Sequence, residues 1–431
     1  MKTFKQHIKK LNRTQFEQLK SYCLHSNSLY NCSLYITRQY FFETNKYIGY
    51  NELYKQLKDS IHYQSLPAKI AQQTIRLMDK DFRSFFGLLK MKRDGNYQAK
   101  VHIPHYKDKN KEFILILPND QVSFRNNIIK ITRDIKLKFN HNIDGIIKQV
   151  IIEPKKHNYY EINIQYQETN NNNNLLNINT LNKEGGQTNT NNYELNENNY
   201  LSIDLGINNF ATCFSNVGHS FIVNGKPLKS INQFYNKRKA EQQSIIKIVN
   251  DKNYSNKLTK LTINRKNKIN NFMNKTVYYI VMYCIEHKIK NLVIGYNELW
   301  KQEVNLGSKT NQNFVNIPYN IFKQKLENKC SEYGIIFNQQ EESYTSKCSS
   351  LDLEDVQKHD VYLGKRIKRG LFKSNVTNKI INADVNGSIN ILRKHLNSKK
   401  LNKQVISEII NINEIERLIV SPIKLNPIQF G

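Results

Sequence analysis

Three carboxylates stand where side chains can be aimed rigidly at one point. Asp204 closes the apolar run Tyr200-Leu-Ser-Ile203, and Glu342, with Glu341 beside it, follows Ile335-Ile-Phe337. Asp384 opens a helical stretch that continues through Val385-Asn-Gly-Ser-Ile-Asn-Ile391. Carboxylates converging from strand ends and a helix start suit phosphodiester hydrolysis by two divalent cations about 4 Å apart. One cation activates water and the other stabilises the leaving oxygen. Hard oxygen donors of this kind select Mg2+ or Mn2+. Each residue has a plainer use: Asp204 ahead of Gly206 could start a turn, Asp384 could complement the helix dipole, and Glu341 and Glu342 could both face solvent. Their combination, in this order and on so basic a chain, favours the shared site.

The elements that must position these groups follow a distinctive order. Asp204 ends one strand, and Phe210-Ala-Thr-Cys-Phe214 and Ser220-Phe-Ile-Val223 read as its antiparallel partners. Two long basic helices are expected over 229–250 and 256–288. The second carries Val277, Ile280, Val281, Cys284 and Ile285 on one stripe. A short buried strand at Asn291-Leu-Val-Ile294, a helix over 318–333 and the strand before Glu341 complete the series. Three antiparallel strands followed by alternating helices and strands is the order of an RNase H-like α/β domain.

The rest of the chain is organised around one composition break. Residues 168–199 are dominated by Asn, with too little apolar surface to offset chain ordering, and read as a linker. Ahead of it, helical spacing over 14–45 and 51–95 gives way to short alternating segments from Phe113 to Ile164. The expected division is a multidomain α/β protein. A β-barrel is expected over 1–13 and 96–167, with a helical insert at 14–95. After the linker comes a nuclease-type domain over 200–347 and 376–396, interrupted by a basic loop region at 348–375. A basic tail occupies 397–431.

The 431 residues carry 65 Lys and Arg against 36 Asp and Glu, a formal net charge of +29. Such an excess repels itself, and polyanions are the partners that relieve it. No apolar stretch approaches the roughly 20 residues of a membrane span, and the N-terminus runs straight into charged residues. An intracellular protein bound to nucleic acid, with no membrane partner, is expected. Six cysteines form no C-x-x-C pair and read as reduced thiols. The clusters Lys237, Arg238, Lys239 and Lys365, Arg366, Lys368, Arg369 lie beside the carboxylate motifs, where charge and bidentate Arg contacts would serve phosphates.

Asp204-Leu-Gly-Ile-Asn-Asn209, the stretch Gly225 to Asn232 with Tyr235-Asn-Lys-Arg-Lys239, and Asn382-Ala-Asp-Val-Asn-Gly-Ser-Ile-Asn-Ile391 resemble the transposon-encoded TnpB nucleases and their Fanzor relatives. The resemblance is strong over about 200–395 and only organisational over 1–165. It implies an RNA-guided endonuclease for double-stranded DNA with a RuvC domain, a wedge barrel carrying a helical recognition insert, and a transposon-end guide RNA. Guide pairing would then supply sequence specificity while the protein holds the heteroduplex.

Two departures from the common family pattern matter. The second carboxylate usually ends the strand that here reads Leu292-Val-Ile-Gly295, and Gly295 has none; Glu298 and Glu303 fall in an expected loop. The segment Gln340-Glu-Glu-Ser-Tyr-Thr-Ser-Lys347 resembles the branch that supplies the glutamate ahead of Ser-Tyr-Thr-Ser-Lys. This makes Glu342 the expected ligand and Glu341 the reserve, since neighbours on an extended chain face opposite ways. The family's paired cysteines are also missing apart from Cys348, so no structural zinc is expected and the segment after it must be ordered by packing or nucleic acid. Asp204, Glu342 and Asp384 are thus the expected catalytic and metal-binding residues, for two Mg2+ or Mn2+ ions. A cleavage-deficient RNA-guided repressor, a guide-free transposase or resolvase and a miniature type V CRISPR nuclease remain alternatives. The compartment would be cytoplasmic in a prokaryote and nuclear in a eukaryote.

Overall fold

The computed structural model describes residues 2–8, 11–121, 123–125, 128–131, 135–139, 143, 145–155, 159–167, 194–250, 255–297, 317–368, 370–410 and 422–427. Most of the Asn-rich segment, Arg369, Glu298 and Glu303 lie outside them. The chain forms two compact units, Met1–Gly186 and Gln187–Gly431.

In the first unit, β1 (Lys2–His7) precedes α1 (Arg13–Thr44), α2 (Tyr50–Leu57), α3 (Ile61–Gln64) and α4 (Ala68–Arg93). Asn12 starts α1 with a reciprocal capping box to Gln15, which satisfies two otherwise orphaned backbone donors. On α4, Ala71, Ile75, Met78 and Phe82 recur every three or four residues and are buried as one stripe. Strands β2 (Leu115–Pro118), β6 (Ile146–Lys155) and β7 (Tyr159–Gln167) join β1 in a sheet of order β1-β7-β6-β2. A separate three-stranded sheet holds β3 (Ser123–Arg125), β4 (Ile128–Lys130) and β5 (Lys136–Lys138).

The second unit is built on a six-stranded sheet. β8 (Asn196–Leu205), β9 (Asn209–Ser215) and β10 (Phe221–Asn224) form an antiparallel meander. After α5 (Lys226–Asn250) and α6 (Asn256–Glu286), β11 (Ile289–Tyr296) pairs parallel to β8. Helix α7 (Tyr319–Glu332) leads to β12 (Ile336–Glu341), parallel to β11. This is the RNase H-like order expected from the sequence. Leu201, Ile203 and Leu205 of β8 pack with Phe272, Val277 and Ile280 of α6, while Tyr200 joins the opposite core against Ile389 and Leu392. Those two residues belong to α8 (Ala383–Ser398), so helices cover both faces.

Two regions differ from expectation. Residues 364–374, expected within a basic loop, form the hairpin β13 (Gly364–Lys368) and β14 (Leu371–Ser374), which β15 (Ile380–Asn382) extends. Gly370, with φ +82, supplies the left-handed turn residue between β13 and β14. The expected basic tail contains α9 (Lys403–Ile410) and β16 (Ile423–Leu425), which pairs parallel with β10 and completes the sheet order β12-β11-β8-β9-β10-β16. The isolated triplet Ile423-Lys-Leu425 is too short for a period to announce it; the open edge of β10 gives it a partner. No helix among the described residues is long and apolar enough to cross a membrane.

Candidate active site

The pleat of β8 decides where Asp204 points. Side chains alternate between faces, so Asp204 shares its face with Tyr200 and Ser202, the side covered by α8. The helix approaches closely there: Ser202 Oγ donates to the Ser388 carbonyl at 2.7 Å, and Ser388 Oγ donates back to the Ser202 carbonyl at 2.9 Å. Next to Ser388, a Cβ on Gly387 would stand 2.9 Å from Asp204 Oδ2, so the lack of a side chain makes room for the carboxylate.

On the neighbouring strand the same parity holds. Val293 packs on the α8 side, and Gly295 follows it on that face, one residue beyond the last β8–β11 pair, Ile203 with Ile294. The chain leaves β12 immediately after Glu341, where Glu342 N–H donates to the Tyr296 carbonyl at 3.1 Å. Its side chain turns back over β11, and Glu342 Oε2 lies 2.5 Å from where a Gly295 Cβ would be. That oxygen is buried and has no hydrogen-bond donor among the described residues. Burial first, then the charge of Glu341, pushes the Glu342 acid up to about 7 against a smaller pull from Lys323.

Glu341 is engaged elsewhere. Its Oε1 accepts from Ser343 N at 2.7 Å, and its Oε2 accepts from Ser343 Oγ at 2.7 Å and from Lys394 Nζ at 2.6 Å. Burial acts to raise its acid, but the hydrogen bonds from Lys394 and Ser343 prevail and hold it below the usual range.

Asp384 occupies the first turn of α8, where Asn382 caps the helix through Oδ1, accepting from Asp384 N and Val385 N. Its Oδ2 accepts from Asn209 Nδ2 at 2.6 Å and its Oδ1 from Arg366 Nη2 at 3.3 Å. Asp204, Asn209, Thr212, Arg366, Gly370 and Asp384 line a cavity of about 270 Å³. The Asp204 acid is raised well above normal, by burial first and then by the charges of Glu342 and Asp384, with Arg366 opposing. Asp204 therefore sits within the field of both other carboxylates. Among the described residues the three do not form a closed cluster at ligand spacing, and Asp384 is drawn toward Arg366 and Asn209. A divalent cation fits this donor set: hard oxygens, one of them buried without a donor, and a carboxyl whose ionisation is opposed by two neighbouring negative charges.

The basic residues named from sequence divide. Arg366 enters the cavity, while Lys365 and Lys368 are exposed along the same hairpin. Lys237 and Arg238 are exposed on α5, Lys239 is half-buried there, and Arg238 pairs with Glu241 at 2.9 Å. Asn209 and Lys394 escaped sequence reasoning as site residues. Asn209 lay inside a quoted motif without an assigned role, and Lys394 gives no local signal because its partner is 53 residues away.

The segment after Glu342 is ordered by a polar network. Asn386 and Asn390 of α8 both donate to the Cys348 carbonyl, at 2.9 and 2.7 Å. The buried Glu354 carboxylate accepts from Ser349 N at 2.6 Å and from Leu363 N at 2.9 Å, tying the loop to the start of the hairpin that carries Arg366.

Residues 180–301 match the OrfB_IS605 family, described as a probable transposase, and residues 319–391 match the TNB domain of Cas12f1-like proteins. The chain is 25% identical over 398 residues to the TnpB-like protein ORF457 of Acidianus two-tailed virus, covering 86% of this chain and 81% of that relative. Among solved structures it is similar to the Cas12f1–sgRNA–target DNA complex, at 17% identity and a TM-score of 0.35, covering 90% of this chain and 98% of that one. A CRISPR-Cas12f ternary complex gives 14% and 0.36, covering 88% and 81%.

Proposed function

We propose that this chain, with segments matching the OrfB_IS605 and Cas12f1-like models, is a TnpB-type RNA-guided endonuclease that cuts double-stranded DNA, with Asp204, Glu342 and Asp384 as its metal-binding carboxylates. The observation that carries the proposal is the Glu342 carboxylate, buried without a donor and seated over Gly295, while Glu341 is held by Lys394. A charge-bearing oxygen left unpaired in a buried place is costly unless something compensates it. Mg2+ or Mn2+ bound by the three residues would supply the activated water and the stabilisation of the leaving oxygen.

The remaining work falls to the chain itself. Asn209 orients Asp384 by donating to one oxygen. Arg366 balances the second oxygen and lines the cavity with a half-exposed side chain, from which a guanidinium can pair with a backbone phosphate. Guide RNA from the transposon end and target DNA would be the polyanions that offset the +29 charge. In this reading the strands of the first unit serve as the wedge, α1 to α4 as the recognition insert, and the region 348–375 as the target-binding surface.

The test is to purify the protein with its RNA, sequence that RNA, and assay cleavage of a plasmid matching the guide in Mg2+. The proposal expects one discrete RNA and cleavage that depends on it. Cleavage without RNA would indicate a guide-free enzyme, and RNA-dependent binding without cleavage a repressor.

A further inference from the structure

Away from the carboxylates, α5 and α6 enclose a cleft of about 320 Å³ between Phe234 and Tyr235 on one helix and Arg265 and Lys268 on the other. This is within the size range of small-ligand pockets. Phe234 is 55% exposed, a large ring facing water with the Arg238 guanidinium 5.7 Å from its centroid. Arg265 is half-buried and fixed: its Nε donates to Asn232 Oδ1 at 2.7 Å, and its guanidinium lies 4.9 Å over the Tyr235 ring. Tyr235 is itself fixed by a hydroxyl contact to Thr262 at 3.2 Å. Asn232 is buried, and its Nδ2 has no partner among the described residues. The surroundings carry one sign, since α5 and α6 each hold six Lys or Arg against a single Glu.

We infer that this cleft holds an unpaired nucleotide of the guide RNA, its base stacked on Phe234 and its phosphates against Arg265 and Lys268. The inference rests on the reading that the chain binds RNA. An exposed aromatic beside fixed cations is what single strands use, because every base offers a π-face and every nucleotide a phosphate. Ser230 and Asn264, also at the cleft, offer polar groups for the ribose. A protein partner fits less well, since twelve basic residues on two helices would need an equally acidic surface.

Binding of the full-length protein to single-stranded RNA and DNA oligonucleotides of one sequence, measured by fluorescence anisotropy across a salt series, tests it. Phe234→Ala should weaken RNA binding about 5- to 100-fold, the range for one base stack, without changing the salt slope. Phe234→Trp should restore it, and Ile248→Ala, on an 85% exposed residue of the same helix, should have no effect. Lys268→Ala should flatten the slope, because one phosphate is no longer neutralised. A loss confined to DNA would assign the cleft to a DNA strand and overturn the RNA assignment. Unchanged binding by Phe234→Ala would overturn the cleft while leaving RNA guidance intact. Wild-type protein that binds neither oligonucleotide would contradict both.

Discussion

The Glu342 carboxylate and Gly295 are sterically complementary: an oxygen of one lies 2.5 Å from where a Cβ on the other would stand. The carboxylate missing from the end of β11 and the carboxylate arriving after β12 therefore share one volume. A side chain at 295 and the Glu342 carboxylate in its present place are mutually exclusive.

Gly295→Ala accordingly displaces function more than fold. The new methyl would meet Glu342 Oε2 and, at 2.7 Å, Ile391 Cδ1, both at the far ends of flexible side chains. We expect the protein to fold with a loss of about 1–3 kcal/mol from overpacking and to cut DNA about 100-fold more slowly, as a displaced catalytic group does. Guide and target binding should persist. Thermal denaturation beside a cleavage time course reads both, and near wild-type cleavage would mean that the seat of Glu342 is unimportant.

Protonation of Glu342 gives a pH signature without activity. Burial pushes its acid up to about 7 in the folded chain, against about 4.3 when unfolded. The fold therefore binds this proton more tightly than the unfolded chain, and its contribution to stability is full below the ordinary carboxylate range and lost as pH rises to about 7. Cations need the ionised form, so Mn2+ should raise Tm more above pH 7 than well below it. Glu342→Gln should reduce that difference and leave the part set by the raised Asp204 acid, and a Mn2+ shift independent of pH in the wild type would contradict the assignment.

The strand order, the Asp204 and Asp384 positions and the gap at Gly295 were legible because each is local: an apolar run ends, a helix begins, a glycine replaces a side chain. What completes the site is not local. Lys394 claims Glu341 only because α8 crosses the strand ends, and Asn209 meets Asp384 across 175 residues. The hairpin at 364–374 was hidden by its charge. Lys365, Arg366 and Lys368 mask any alternation, and its order comes from Glu354, a buried carboxylate in a polar stretch.

Removing that carboxylate should loosen the hairpin. Glu354→Ala leaves the buried Ser349 amide without an acceptor, at about 1–3 kcal/mol, and frees the part-buried Leu363 amide. A lower Tm and faster hydrogen exchange of the 349–374 backbone are expected, and unchanged exchange would show that the network does not order this segment.

The hairpin should also report on charge. With Lys365, Arg366, Lys368 and Arg369 replaced together, the slope of log affinity for target DNA against log salt should flatten by about 0.9 for each phosphate left without its cation. An unaltered slope would place these residues away from nucleic acid.

Glu342, and not Glu341, is proposed to complete the carboxylate set with Asp204 and Asp384. Plasmid cleavage in Mg2+ by the guide-loaded protein decides it, comparing Glu342→Ala and Glu341→Ala against Asp204→Ala. Glu342→Ala should be as inactive as Asp204→Ala while both still bind guide and target. Glu341→Ala, which gives up its hydrogen bonds from Lys394 and Ser343 and its charge beside Glu342, should retain most of its activity. Active Glu342→Ala protein, or inactivation by Glu341→Ala alone, would contradict it.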